Sequence, residues 1–236
     1  MSRGPVASPG PGRGGPVELD LPFDGRWLAR NSPARRVPSH GGDRVGGRFA
    51  VDFVGGGERG RPSGTIDWRT LVASEPAERF VGFGRPILAP ASGTVVLTHD
   101  GEVDHPAHRS VPAGLRYLSG QRARLERGIA ALAGNHVVIE VPGAYVALVH
   151  LQQGSLRVGP GDPVVAGEQL AACGNSGNST QPHVHVQAMD GPDARAARGL
   201  PIAFRTYREW PAGGSAASVH ALGVPGEGSV VEPVDQ

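Results

Sequence analysis

His183 and His185 stand one residue apart in Gln181-Pro182-His183-Val184-His185-Val186-Gln187. Successive side chains of a β-strand point to opposite faces, so both imidazoles project from one face, roughly 7 Å apart. Val184 and Val186 turn the other way. Two imidazoles on one face of a rigid strand suit a zinc site, and equally suit two surface histidines on a half-exposed strand. Asp52 poses a similar question. In Arg48-Phe49-Ala50-Val51-Asp52-Phe53-Val54 the alternation predicts a strand with Phe49, Val51 and Phe53 on one face. Asp52 falls on the other face, between Ala50 and Val54. A carboxylate inside an apolar strand is expensive unless paired or bound to a cation, so a salt bridge and a metal site both stay open. His150 ends the apolar stretch Ala144-Tyr145-Val146-Ala147-Leu148-Val149-His150-Leu151, on the face of Val146 and Leu148 by simple alternation. A hydrogen-bonded core histidine and a reactive one both fit that position.

The elements that must hold these groups follow from composition. The chain has 236 residues and 39% apolar content, enough to bury a real core. Glycine (37) and proline (22) make up a quarter of it, which predicts many turns and short strands rather than a helix bundle. A net charge of +1 gives no case for nucleic acid. All 23 basic residues are arginine, which we attribute to compositional bias. The single cysteine, Cys173, excludes an internal disulfide and reads as a small core residue. No apolar run of about 18 residues predicts a membrane span. The N-terminus also lacks the apolar segment of a secretory signal, so by default the expectation is cytoplasmic.

Residues 1–16 are mostly glycine and proline and predict a disordered arm. The main domain is expected over 17–211. Residues 85–96 read as two short strands joined at a turn, and 136–151 as a hairpin turning at Pro142-Gly143. Residues 98–133 look like an insertion. Its first half, with His99, His105 and His108, predicts a solvated polar loop whose irregular spacing argues against a second metal site. Its second half spaces Leu115, Leu118, Leu125, Ile129 and Leu132 for one amphipathic helix, ended by Gly134. Residues 212–236 are mostly Gly, Ala, Ser, Val and Pro and predict a loosely packed tail.

The succession of Asp52, PILAPASGTVV, GNHVVIE, YVALVHL and VVAGEQLAACGNSGNSTQPHVHV resembles the lysostaphin-type zinc endopeptidases that cut peptidoglycan cross-links. The likeness covers about residues 38–190 and is strongest over 134–187. It implies a mostly β fold, a compact antiparallel sheet or half-barrel carrying the inserted helix between flexible termini. It also implies a bound zinc ion, a peptidoglycan or peptide substrate, a place at the cell wall and action as a monomer. By resemblance, Asp52 and His185 would be zinc ligands, and His150 and His183 would act on the metal's water. One position departs from the pattern: the family's early histidine, four residues before the aspartate, is here Arg48. Arginine is permanently charged and cannot ligate a metal. The nearest upstream histidine is His40, on a bend that Gly41, Gly42, Gly46 and Gly47 allow to fold back along the strand. We therefore expect His40 to replace the missing ligand. A degenerate relative that binds peptide and regulates another hydrolase is the alternative that Arg48 keeps open.

Overall fold

A computed structural model describes residues 15–40, 42, 44–57, 74–108 and 128–234. Among the described residues fourteen strands form, and twelve of them join one sheet that stays open. In chain order they are β1 (Val17–Leu19), β2 (Trp27–Arg30), β3 (Val51–Gly55), β4 (Pro86–Leu88), β5 (Gly93–His99), β6 (Asn135–Val141) and β7 (Ala144–Leu151). There follow β8 (Pro163–Val164), β9 (Gln169–Ala172), β10 (Val184–Met189), β11 (Gly199–Leu200), β12 (Ile202–Trp210), β13 (Ser218–Gly223) and β14 (Val230–Pro233). The sheet runs β1-β12-β14-β2-β3-β10-β7-β6-β5-β8, with β11 beside β10, β13 beside β12, and β4 paired separately to β9. All pairings are antiparallel except β1 with β12. The mostly β architecture expected from turn-rich composition is what forms.

Alternation sorts the central strands as their sequences demand. Val51 and Phe53 of β3, Val146 and Leu148 of β7, and Val184 and Val186 of β10 are buried in the main core. Phe23 stacks on Trp27 at 4.6 Å between ring centroids, and meets Phe53 edge-on at 5.0 Å within the same core. The opposite face of the sheet carries Asp52, Val138 of β6, Ala147, Val149, His185, Gln187 and Met189, joined by His183 just before β10, and forms the floor of a groove of about 1040 Å³. Strand β10 lies between β3 and β7, so groups from three adjacent strands meet at its middle.

The predicted hairpin is present, with β6 and β7 paired from Val141–Ala144 outward. So is the pair of strands over 85–96, as β4 and β5. The helix predicted to end at Gly134 lies mostly outside the described residues. Its last part is a short helix, α1 (Ile129–Ala133), with the Gly134 amide bonded to the Ala130 carbonyl. The disordered arm likewise falls outside them, save Gly15 and Pro16.

Three expectations need correction. The strand predicted from Arg48 begins only at Val51, because residues Arg44–Phe49 form a 3₁₀ segment broken at Val45 (φ 54) and Gly46 (φ 71). The tail from 212 is not loose, since β14 pairs with both β12 and β2 and Val231 is fully buried. Neighbouring strands supply the burial that this stretch lacks by itself. The polar loop around His105 is tied down rather than simply solvated. Asp104 accepts from the Asn175 and Gln153 amides at 2.6 and 2.9 Å, and His105 Nε2 donates to the Gly177 carbonyl at 3.0 Å.

Candidate metal centre

Asp52 and His185 are direct cross-strand partners in the β3–β10 register. That pairing turns both side chains to the groove face, where His185 Nδ1 lies 2.8 Å from Asp52 Oδ1. His40 arrives from outside the sheet. Its bend folds back over the 3₁₀ segment, with the Ser39 amide donating to the Arg48 carbonyl at 3.0 Å. The buried Ser39 hydroxyl sits 3.0 Å from His40 Nδ1, which leaves Nε2 3.1 and 3.2 Å from the two Asp52 oxygens. His40, Asp52 and His185 thus offer two imidazole nitrogens and a carboxylate oxygen, all within 4.8 Å of one another. It is the one such convergence of His, Cys, Asp or Glu groups among the described residues. Two borderline nitrogen donors and one carboxylate form a donor set that zinc accepts, leaving a coordination position free. Arg48 takes no part in it and lays its guanidinium 5.6 Å from the Phe49 ring centroid.

Two further histidines look onto this cluster. His183 Nε2 is 3.6 Å from Asp52 Oδ1, and its Nδ1 donates to the Gln181 carbonyl at 2.8 Å. The Ser179 hydroxyl adds a contact to the same Nδ1 at 3.0 Å. The His150 ring lies 4.7 Å from that of His183 and 6.1 Å from that of His185, between centroids. Its Nδ1 donates to the Ser176 carbonyl at 2.9 Å. Carbonyl oxygens only accept, so both rings carry their proton on Nδ1 and present a bare Nε2 to the groove.

His150 does not share the face of Val146 and Leu148, as alternation predicts. Its φ is 65, in the left-handed region, and the β6–β7 register slips beside it. The bulge adds one residue and swings His150 across to the groove while Leu151 returns to the core. The loop behind it is equally close-fitting. Ser176 is fully buried, its hydroxyl donating to the Leu151 carbonyl at 2.8 Å and accepting from the Asn135 amide at 2.9 Å. Gly134, at φ 67, leaves no space for a Cβ, which would fall 2.6 Å from the Ser176 carbonyl carbon.

Burial and charge set the protonation of these groups. Burial alone would raise the Asp52 carboxyl, but the charges of His183 and His40 and hydrogen bonds from His185 and His40 outweigh it and hold the group well below its usual 3.8. Burial pushes His150 well below 6.5, reinforced by His183 and His185, and also lowers His183 despite the pull of Asp52. His185 moves the other way: the bond and charge of Asp52, with Gln187, overcome burial and raise it.

Residues that the sequence did not single out complete the centre. Asn31, just past β2, donates its side-chain amide to Asp52 Oδ2 at 2.7 Å and so leaves Oδ1 for the histidines. Gln187 meets His185 Nε2 at 2.9 Å through Oε1. Strand periodicity was a signal for Gln187, two residues beyond His185 on the same face. Asn31 and Ser176 carry no comparable signal, being placed by loops.

Residues 119–197 match the model of Peptidase family M23, a segment that contains His150, His183 and His185. The resemblance read from the motifs therefore holds over the part of the chain where it is strongest. The class that fold and site define is a mostly β domain with a His/Asp/His cluster on the groove face of its sheet. Among solved structures, the chain is similar to the catalytic domain of lysostaphin from Staphylococcus simulans, at 20% identity and a TM-score of 0.35 over 65% of this chain and 77% of that one. It is also similar to the catalytic domain of the prophage-encoded M23 protein EnpA from Enterococcus faecalis, at 18% identity and 0.38, covering 81% and 93%. A zinc-containing peptidase from Vibrio cholerae matches at 21% identity and 0.35, covering 79% of this chain and 39% of that one. These likenesses are loose. No described helix is long and apolar enough to cross a membrane.

Proposed function

We propose that the protein is a zinc-dependent endopeptidase that hydrolyses peptide bonds in peptidoglycan cross-links. The observation that carries this reading is the meeting of His40, Asp52 and His185 beneath two further histidines in one groove. His40 and His185 would hold the ion through imidazole nitrogens and Asp52 through a carboxylate oxygen. A zinc ion there supplies Lewis acidity, which acidifies water and polarises a carbonyl.

The remaining steps belong to the chain itself. His150 and His183 stay neutral near pH 7 because burial depresses both. Each can take a proton at its bare Nε2, as a general base must, and return it to a leaving amine. Their Nδ1–H bonds to the Ser176 and Gln181 carbonyls strengthen when the ring becomes positive, which favours proton uptake during the reaction. The open groove admits an extended peptide along β10, with Val138, Ala147 and Val149 on one flank of the histidines.

The test pairs metal analysis with turnover. Purified protein should hold one zinc and release new amino termini from cross-linked peptidoglycan. Chelation should abolish both, and added zinc should restore them. Protein that retains one zinc yet cleaves neither peptidoglycan nor glycine-rich peptides would instead be a peptide-binding module, the role that Arg48 in the early motif leaves open.

A further inference from the structure

Gln187 lies on the groove floor and is only 6% exposed, so its polar amide needs partners. Its amide bridges two partners. Nε2 donates to the Val45 carbonyl at 2.9 Å, with a weaker contact to Met189 Sδ, and Oε1 faces His185 Nε2 at 2.9 Å. A backbone carbonyl only accepts, so the amide nitrogen must point at Val45 and the amide oxygen at His185. That oxygen in turn only accepts, so His185 must carry a proton on Nε2. The atom turned toward Asp52 Oδ1 is then Nδ1.

The bridge depends on an unusual backbone. Val45 is a β-branched residue at φ 54 and Gly46 follows at φ 71, two left-handed residues in succession. The left-handed region is costly for a β-branched side chain and persists only where surroundings enforce it. Its effect is to bring the Val45 carbonyl down onto Gln187. A Cβ on Gly46 would lie 2.7 Å from Met189 Cγ and Sδ and 3.2 Å from Gln187 Nε2, so the close approach also needs glycine. The strained turn, the glutamine and the histidine form one relay ending at the metal centre.

Resting on the zinc reading above, we propose that Gln187 is a positioning residue: its carbonyl, oriented by Val45, locks the His185 tautomer and aims Nδ1 at the ion. Outer partners of this kind fix ring orientation and raise ligand basicity, and their loss costs roughly 10- to 100-fold in metal affinity.

Zinc dissociation constants by chelator competition, together with ring-nitrogen NMR of the zinc-loaded protein, test this without any activity assay. Gln187→Leu should keep one zinc per chain but bind it about 10- to 100-fold more weakly. Gln187→Glu retains an accepting oxygen and should recover at least half of that loss on a logarithmic scale. In wild type the His185 proton should appear on Nε2. Undiminished affinity in Gln187→Leu, or Gln187→Glu no better than Gln187→Leu, would overturn the role. If Gln187→Leu does not fold, a His185 proton on Nδ1 in wild type overturns it alone, and one on Nε2 supports it. A wild type that takes up no zinc overturns the metal reading itself, whereas a zinc-binding wild type with a silent Gln187→Leu overturns only the positioning role.

Discussion

His150 and Leu148 are two residues apart on β7, yet their side chains lie on opposite faces of the sheet. Strict alternation would put both in the core. The left-handed backbone at His150 breaks that alternation at one residue and delivers an imidazole to the groove without interrupting the apolar stripe beneath. A histidine placed only to fill the core would gain nothing from such a conformation. The strained backbone therefore favours a chemical role for His150 over the packing role that its apolar neighbours suggest.

That placement predicts an inverted stability order. A non-glycine residue at φ 65 carries a strain of about 1 kcal/mol that glycine escapes. His150→Gly should therefore melt above His150→Ala by roughly 2–4 °C, although glycine is usually the worse substitute in a strand. His150→Gln should keep its zinc and fold while turnover drops on the order of a hundredfold or more. Thermal melts and metal content check both points. Alanine melting higher than glycine would show that the bulge is unstrained.

How much of this was visible in the sequence depends on whether each feature obeys a period. His185 and Asp52 sit in regular strands and His183 just before β10. Alternation put the two histidines on one face and Asp52 opposite its apolar neighbours, while the β3–β10 register that joins them is set by the fold. The β6–β7 hairpin announced itself through Pro142-Gly143. His40 was reachable only by noticing that Arg48 could not ligate and that glycines surround the bend. Periodicity fails by construction at a bulge, which is why it misplaced His150. It also said nothing about β14, whose pairing to β2 joins residues two hundred positions apart. Short strands of this kind draw their stability from neighbours rather than from their own composition.

The proposed substitution of His40 for the missing early histidine has its own consequence. His40→Ala should weaken zinc by more than loss of an outer partner does, so by roughly a hundredfold or more. Arg48→Ala should leave affinity within about threefold, since its guanidinium packs on Phe49 rather than at the centre. Chelator competition on the two variants separates them. Equal losses in both would mean that His40 only packs beside Asp52.

The buried histidines predict how the metal-free protein responds to acid. His136, His150 and His183 all lie below 6.5 in the fold, chiefly through burial. Below about pH 6.5 the unfolded chain takes up protons that these three refuse, so stability falls as pH drops toward their folded values. His185 acts above that window, because its raised value gives a contribution complete below 6.5 and lost as pH rises through the raised value. Asp52 contributes above 3.8 and loses its share only at more acid pH. Because the His185 contribution is already complete in this range, the three depressed histidines give a melting temperature that declines from pH 6.5 to 5. The decline should be shallower in His150→Gln. A flat or rising profile in wild type would contradict the buried, neutral state assigned to these rings.

Asn31 offers the last test, because its side-chain hydrogen bond among the described residues is with the carboxylate alone. Its side-chain amide holds Asp52 Oδ2 at 2.7 Å, which fixes the rotation that turns Oδ1 toward His185. Asn31 is itself left-handed, at φ 50, so Asn31→Gly removes the donor without straining the turn. The fold should survive with little change in melting temperature, while zinc affinity falls by roughly tenfold as the carboxylate loses its orientation. Asn31→Asp sets a second carboxylate against Asp52. Like charges disfavour joint ionisation, so this variant should shift the pH midpoint of zinc binding upward. Zinc titrations at several pH values resolve the two effects. Unchanged affinity in Asn31→Gly would mean that the β3–β10 register alone sets the Asp52 rotamer.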